Sequence, residues 1–244
     1  MLWHIIEGEA GCRFARERGA VAIVVDALRA SATAAMMLHA GALDILVVRE
    51  VEDALAAKRN APDALLFGER GGVPPAGFDF GNSPREVSPV AGRHAIFTTT
   101  TGANRLVSAW GSKAVFMGTT VNARAVVQAA ASFNTDVVII PAGLTGHPEF
   151  DAMEDRVASV YLAMQAGDAI GEGRAIFDQF APAIEGEGLV ALFEAAPHSQ
   201  NLRDLGLPED IAYCAQVDLT TCVPQGLRRG EAGIHTVNFS AGPA

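Results

Sequence analysis

The chain has 244 residues, of which 50% are apolar and 19% charged, a composition that suits a soluble globular protein with a large core. Its formal net charge is −10 and its only lysines are Lys58 and Lys113, so the surface repels a phosphate backbone and nucleic-acid binding is not expected. A small anion would have to be bound by local arginines working against the general field.

Short β-branched runs alternate with alanine-rich segments along the chain. Residues 21–25 read as a buried strand, followed by a helix over 29–40 that Gly41 ends. A strand over 43–48 and a helix over 50–59 come next. Residues 65–67 form a short strand that runs into a glycine-rich loop. Strands are predicted over 94–98 and 114–117, a helix over 122–133, and a buried strand over 137–140. From 153 to about 214 the pattern is mainly helical, and 236–239 reads as a last strand. Near-continuous apolar strands separated by helices predict an α/β protein, a three-layer α/β/α fold with a mostly parallel sheet. Residues 1–244 are read as one domain, and a division would fall near 141–152.

Cys12, Cys214 and Cys222 are odd in number and lack metal-type spacing, as expected for unpaired thiols in a reducing cytosol. The first seven residues lack a basic region followed by an apolar one, so no secretory signal is expected. Asp26, Arg29, His39 and Asp44 interrupt the apolar stretch over 21–48, so no membrane span is expected either. The expected location is cytoplasmic.

Ligands of open α/β sheets bind beyond the carboxyl ends of the strands. Asp26, Glu69 with Arg70, the Thr98–Thr101 run and the segment 143–155 all follow predicted strands, and would meet at one edge if those strands are parallel neighbours. Asp26 either caps the helix it precedes or ligates a metal. Arg29, with Ser31 beside it, opposes the helix dipole and so calls for an anionic partner. Glu69-Arg70 is either a surface ion pair or a metal and anion pair. The flanking Gly68, Gly71 and Gly72, which let backbone approach a ligand, favour the second. Asn82-Ser83-Pro84 reads as a helix start whose free N–H groups would also suit an anion. Thr98, Thr99, Thr100 and Thr101 before Gly102 read as strand residues or as a hydroxyl cradle for a phosphate or sulfonate. Glu154 and Asp155 suit any first helical turn, but with Asp26 and Glu69 they form a pool of oxygen ligands for Mg²⁺. His4 and His147 lack partner spacing and read as structural.

Together, and in this order, Val25-Asp26-Ala27-Leu28-Arg29-Ala30-Ser31, Gly68-Glu69-Arg70-Gly71-Gly72, Gly77-Phe78-Asp79-Phe80-Gly81-Asn82-Ser83-Pro84, the threonine run with Gly102, Ala142-Gly143 and Glu154-Asp155 resemble the 2-phosphosulfolactate phosphatase family. These are magnesium-dependent enzymes named for a step in coenzyme M synthesis. The resemblance implies an α/β/α fold, Mg²⁺, and a phosphoric monoester hydrolase acting on a small sulfonated or carboxylated acid, 2-phosphosulfolactate being converted to sulfolactate and phosphate. Three positions depart from the family pattern: Thr101 stands where asparagine is usual, Pro141 where cysteine often precedes the alanine-glycine pair, and Ala158-Ser159-Val160 where cysteine-alanine-glycine is usual. None removes a carboxylate or an arginine of the set.

The expected catalytic residues are Asp26, Arg29, Glu69 and Arg70, and the expected substrate contacts are Ser31, Asn82, Ser83, Thr98–Thr101 and Gly102. Metal ligands would come from Asp26, Glu69, Glu154 and Asp155. A metal-activated water is favoured as nucleophile. An aspartyl-phosphate on Asp26 would need an acid/base two residues on, where this chain has Leu28. The rival from another class is a non-catalytic sensor of a phosphorylated or sulfonated metabolite. The expected partner is a small phosphorylated anion, and the apolar fraction is compatible with a homodimer.

Overall fold

The computed structural model describes residues 1–144, 146–147, 150–167 and 169–239. Its strands are β1 (Trp3–Ile5), β2 (Val21–Val25), β3 (Asp44–Val48), β4 (Leu65–Gly68), β5 (His94–Thr98), β6 (Ala114–Met117), β7 (Val137–Pro141), β8 (Pro224–Arg229) and β9 (Gly233–Asn238). The helices are α1 (Gly8–Arg18), α2 (Ala30–His39), α3 (Val51–Asn60), α4 (Gly102–Ala109), α5 (Ala123–Ala131), α6 (Met153–Ala166), α7 (Arg174–Glu187), α8 (Leu189–Ala195), α9 (Pro197–Asp204) and α10 (Pro208–Cys214). The mostly parallel sheet has helices on both faces, the α/β/α arrangement expected from the alternating pattern. No helix among the described residues is long and apolar enough to cross a membrane.

The buried strands β2 and β7 form on runs dominated by β-branched residues, and every residue of both is buried. In α2, Ala30 to Leu38 are all buried, which small side chains permit by allowing close packing on every side. Periodicity did not reveal β1, α1, α4 or β8. Strand β1 has three residues, α4 follows a threonine run that favours strand, and β8 carries glycine and two exposed arginines. Helix α1 contains Gly11, where a Cβ would lie 2.1 Å from the Ile6 carbonyl oxygen.

Strand order is β1-β7-β2-β6-β8-β9-β3-β5-β4. The first four strands are mutually parallel, as are β3, β5 and β4. Between these groups lies the β8–β9 hairpin, antiparallel to its neighbours on both sides. Three successive antiparallel pairings make the two parallel groups run in opposite directions. The strands before the candidate loops are therefore neighbours only in pairs, β2 with β7 and β4 with β5.

The pairs nevertheless share one core. Ala22, Val24, Val138 and Ile140 of the first group share one hydrophobic cluster with Ile45, Val47, Phe67 and Phe97 of the second. Helix α4 packs against β2, β3, β6 and β9 at once. The hairpin carries a register shift between Gly226 and Arg228 and pairs with β6 at one position, Phe116 with Gln225. Helices α5–α10 cover the outer face of the first group, and α3 covers that of the second.

Gly68 ends β4 with φ +155°, and a Cβ there would lie 2.1 Å from the Thr98 carbonyl oxygen on β5. Because that neighbour is backbone in a paired strand, it cannot rotate away. Gly68→Ala is expected to lower stability by about 2–3 kcal/mol, read as a fall in the urea midpoint.

Candidate active site

The loops after β2, β4, β5 and β7 meet α9 around a cavity of about 530 Å³. Its polar wall includes Asp26, Arg29, Glu69, Asn82, Thr100, Thr101, Glu154, Asp155 and His198. The apolar wall includes Leu28, Leu144, Phe150, Leu202 and Leu205.

Asp26 leaves β2 at the mouth of α2. Its Oδ1 accepts the Ala30 N–H at 3.2 Å, and its own N–H donates to Ser31 Oγ at 3.0 Å. Oδ2 accepts no hydrogen bond among the described residues. A Cβ on Gly102 would come within 2.7 Å of Oδ2, so the glycine leaves this carboxylate its space. Burial, reinforced by the negative charges of Glu69 and Glu154, pushes the Asp26 carboxyl up to about 6. The Ala30 N–H and His198 oppose that shift.

Arg29 is 2% exposed. Its Nη1 donates to Asp210 Oδ2 at 2.8 Å and its Nη2 to the Gly72 carbonyl at 2.9 Å. The Leu28–Arg29 peptide bond is cis.

The glycine-rich loop folds back along β4. Phe80 stacks on Phe67 with ring centroids 4.9 Å apart, and Asp79 Oδ2 accepts the Leu66 N–H at 2.8 Å, which returns Asn82 to the cavity. Glu69 Oε1 accepts the Thr100 N–H at 2.7 Å. Its Oε2 accepts the Gly72 N–H at 2.9 Å and the Thr100 hydroxyl at 3.2 Å. The adjacent Arg70 points elsewhere, donating to the carbonyls of Glu69 and Arg49 and to Thr98 Oγ1, and does not line the cavity.

The threonine run divides in the same way. Thr98 bonds Arg70 and the Arg49 carbonyl, while Thr99 Oγ1 accepts the Ala103 N–H at 3.0 Å in the first turn of α4. Thr100 and Thr101 reach the cavity. Ser31, Ser83, Thr98, Thr99 and Gly102 thus lie behind the lining. Ser31 donates to the Val24 carbonyl, and Ser83 to Asp210 Oδ1.

Glu154 and Asp155 begin α6 and are buried. Asp155 accepts the Ala27 N–H on Oδ1 at 2.7 Å and the Gly143 N–H on Oδ2 at 3.0 Å, joining the loops after β2 and β7. Burial, then the charges of Glu154 and Asp26, raise its carboxyl well above the usual range. Glu154 Oε1 lies 2.7 Å from His198 Nδ1, whereas Oε2 is buried and has no hydrogen-bond partner among the described residues, as is the case for Asn82 Oδ1. Burial alone would lower the His198 pKa. The Glu154 hydrogen bond and charge, with Asp26, outweigh it and the imidazole is raised.

His198 and Asp210 have no counterpart in the sequence reading. Pro197-His198 and Pro208-Glu209-Asp210 look like ordinary helix starts, where proline and acidic residues are common, and both lie far along the chain from Asp26. His147, read as structural, lines the cavity, while His4 accepts the Glu172 N–H at 3.0 Å on the other flank of β1.

Among the described residues, no group of three or more His, Cys, Asp or Glu side chains stands arranged to hold a metal ion. Asp26 Oδ2, Glu154 Oε2 and Asn82 Oδ1, all hard donors, accept no hydrogen bond among the described residues. Magnesium is commonly held by one or two carboxylates plus substrate phosphate and water, so the donor set fits it.

A folded-state pKa of about 6 against 3.8 for Asp26 gives stability that is fully present below pH 3.8 and lost as pH rises through 6. In metal-free buffer Asp26→Asn should therefore match the parent near pH 4 and exceed it by about 2 kcal/mol above pH 6, measured by thermal melts across that range.

A family model described as 2-phosphosulpholactate phosphatase matches residues 12–228. A protein of Deinococcus radiodurans named probable 2-phosphosulfolactate phosphatase is 36% identical over 231 residues, covering 91% of this chain and 94% of the relative. One of the same name from Carboxydothermus hydrogenoformans is 34% identical over 208 residues, 84% of this chain and 85% of its own length. A third, from Pseudothermotoga lettingae, is 33% identical over 204 residues, with 84% and 88% covered. The motifs on which the resemblance rests lie within the matched span and supply most of the polar wall of the cavity, and the chain belongs to the 2-phosphosulfolactate phosphatase family.

Proposed function

We propose that this protein is a Mg²⁺-dependent phosphatase of small acidic metabolites, hydrolysing 2-phosphosulfolactate to sulfolactate and phosphate. The observation that carries the reading is that Arg29 lines one cavity with the carboxylates of Asp26 and Glu154, each of which keeps an oxygen that accepts no hydrogen bond among the described residues. The charge balance supports a cation. Asp26, Glu69, Glu154, Asp155 and Asp204 line the cavity, against Arg29, whose charge is already met by Asp210, and His198, which pairs with Glu154. A phosphorylated acid would be repelled without a counter-ion. The sensor alternative is disfavoured on the same ground.

Asp26 and Glu154 would hold Mg²⁺, with Asn82 Oδ1 within the same wall, and Glu69 and Asp155 fixing the loops around them. The metal supplies charge neutralisation at the phosphoryl oxygens and acidifies a bound water. Arg29 binds the phosphoryl oxygens and stabilises the charge that grows on them. Thr101, at the start of α4, sets the positive end of that helix toward the phosphate. Leu28, Phe150 and Leu202, also in the lining, limit bulk water. In the overall reaction water adds to phosphorus, the ester P–O bond breaks, and the hydroxy acid leaves with a proton. Such chemistry needs positioning and electrostatics above all. Direct attack by water fits Leu28 at the position where an aspartyl-phosphate mechanism needs an acid. A product of this class would serve coenzyme M synthesis in the cytoplasm.

Phosphate release is expected from phosphosulfolactate with Mg²⁺ and not with chelator, and a panel including phospholactate tests breadth. Release from none of these acids would remove the proposal. Glu69→Gln places an amide where two N–H groups require an acceptor. It is expected to lower kcat/KM by about 10–100-fold, and unchanged activity with unchanged Mg²⁺ affinity would refute its role.

A further inference from the structure

Asp210 takes no part in the reaction as proposed, yet its side chain is wholly buried beside the site. It comes from α10 and reaches two loops that lie far earlier in the sequence. Oδ2 accepts Arg29 Nη1 at 2.8 Å, and Oδ1 accepts the Ser83 hydroxyl at 2.8 Å. Arg85 Nη1 stands 3.9 Å away on the outer side, with its side chain 44% exposed.

A planar guanidinium held at both of its terminal nitrogens has one orientation left. Arg29 is held in this way, by Asp210 at Nη1 and by the Gly72 carbonyl at Nη2. The remainder of the group borders the cavity. The other anchored loop carries Asn82, which lines the cavity immediately before Ser83. If the ion pair served only to dock α10, there would be no reason for its arginine to border the cavity. Buried ion pairs are in any case weak stabilisers compared with apolar packing.

We infer that Asp210 is a positioning residue for phosphoryl recognition, fixing the plane of the Arg29 guanidinium and, through Ser83, the loop that presents Asn82. This rests on the phosphatase reading. Asp210 does not touch substrate and acts through Arg29.

The test is steady-state phosphate release with Mg²⁺. In Asp210→Asn the negative charge facing Arg29 is lost and an NH2 group replaces one of the two oxygens that accept from Arg29 and Ser83, so kcat/KM should fall about tenfold or more, chiefly through KM. Asp210→Glu, which keeps the charge, should recover part of the loss. Arg85→Ala should stay within about twofold of the parent, because its guanidinium is exposed to solvent. A folded Asp210→Asn with parental kcat and KM would overturn the inference. Should that variant fail to fold, Arg29→Lys decides. It keeps the charge but cannot span Asp210 and Gly72, so a KM-led loss supports the inference and parental kinetics refute it. If the parent releases no phosphate from any substrate, the phosphatase reading fails by itself. Calorimetric binding of inorganic phosphate then judges Asp210: weakening by about fivefold or more in Asp210→Asn supports it, and equal binding overturns it.

Discussion

Taking a carboxylate out of water is costly unless its oxygens are matched by donors, and this chain buries Glu69, Glu154, Asp155 and Asp210 around a single cavity. The way that cost is met organises the site. Glu69 joins Gly72 to Thr100, Asp155 joins Ala27 to Gly143, and Asp210 joins Arg29 to Ser83. Each uses its two oxygens to tie one loop to another. The raised carboxyl of Asp26 and Oε2 of Glu154, which has no hydrogen-bond partner among the described residues, are what remains once these ties are made. The same carboxylates therefore fix the loops that shape the cavity.

Strands β2, β5 and β6 were legible to the residue, because each is a run of apolar residues with strong β preference. Alanine-rich helices were legible through their contrast with those runs. Strand order was not legible. Nothing in Pro224-Gln225-Gly226 announces that β8 and β9 lie between β6 and β3, since pairing across more than a hundred residues leaves no local mark. The strand-end rule places the loops at the ends of the β2–β7 and β4–β5 neighbours, while the joining of these pairs in one core depends on long-range packing around α4.

For the site, residue types were legible and side-chain directions were not. Successive side chains on an extended segment point to opposite sides. Glu69 faces the cavity while Arg70 turns to the Arg49 carbonyl; the threonine run leaves the strand after Thr98, so Thr100 and Thr101 both reach the cavity while Thr98 stays behind it. Asp26, Arg29, Asn82, Glu154 and Asp155 were each singled out as chemistry at a strand or helix end, and all line the cavity. His198 and Asp210 escaped because their local setting satisfies helix-start chemistry, leaving no excess of function to notice.

The β8–β9 hairpin also bears on the order of assembly. Every other strand is synthesised before it, so β6 and β3 stand as unpaired inner edges until the ribosome has delivered both hairpin strands. Such edges invite pairing with other chains, and contacts of long sequence separation form slowly. The active-site halves can each gather early, β2 with β7 and β4 with β5, but they are joined in one sheet only when the last two strands dock.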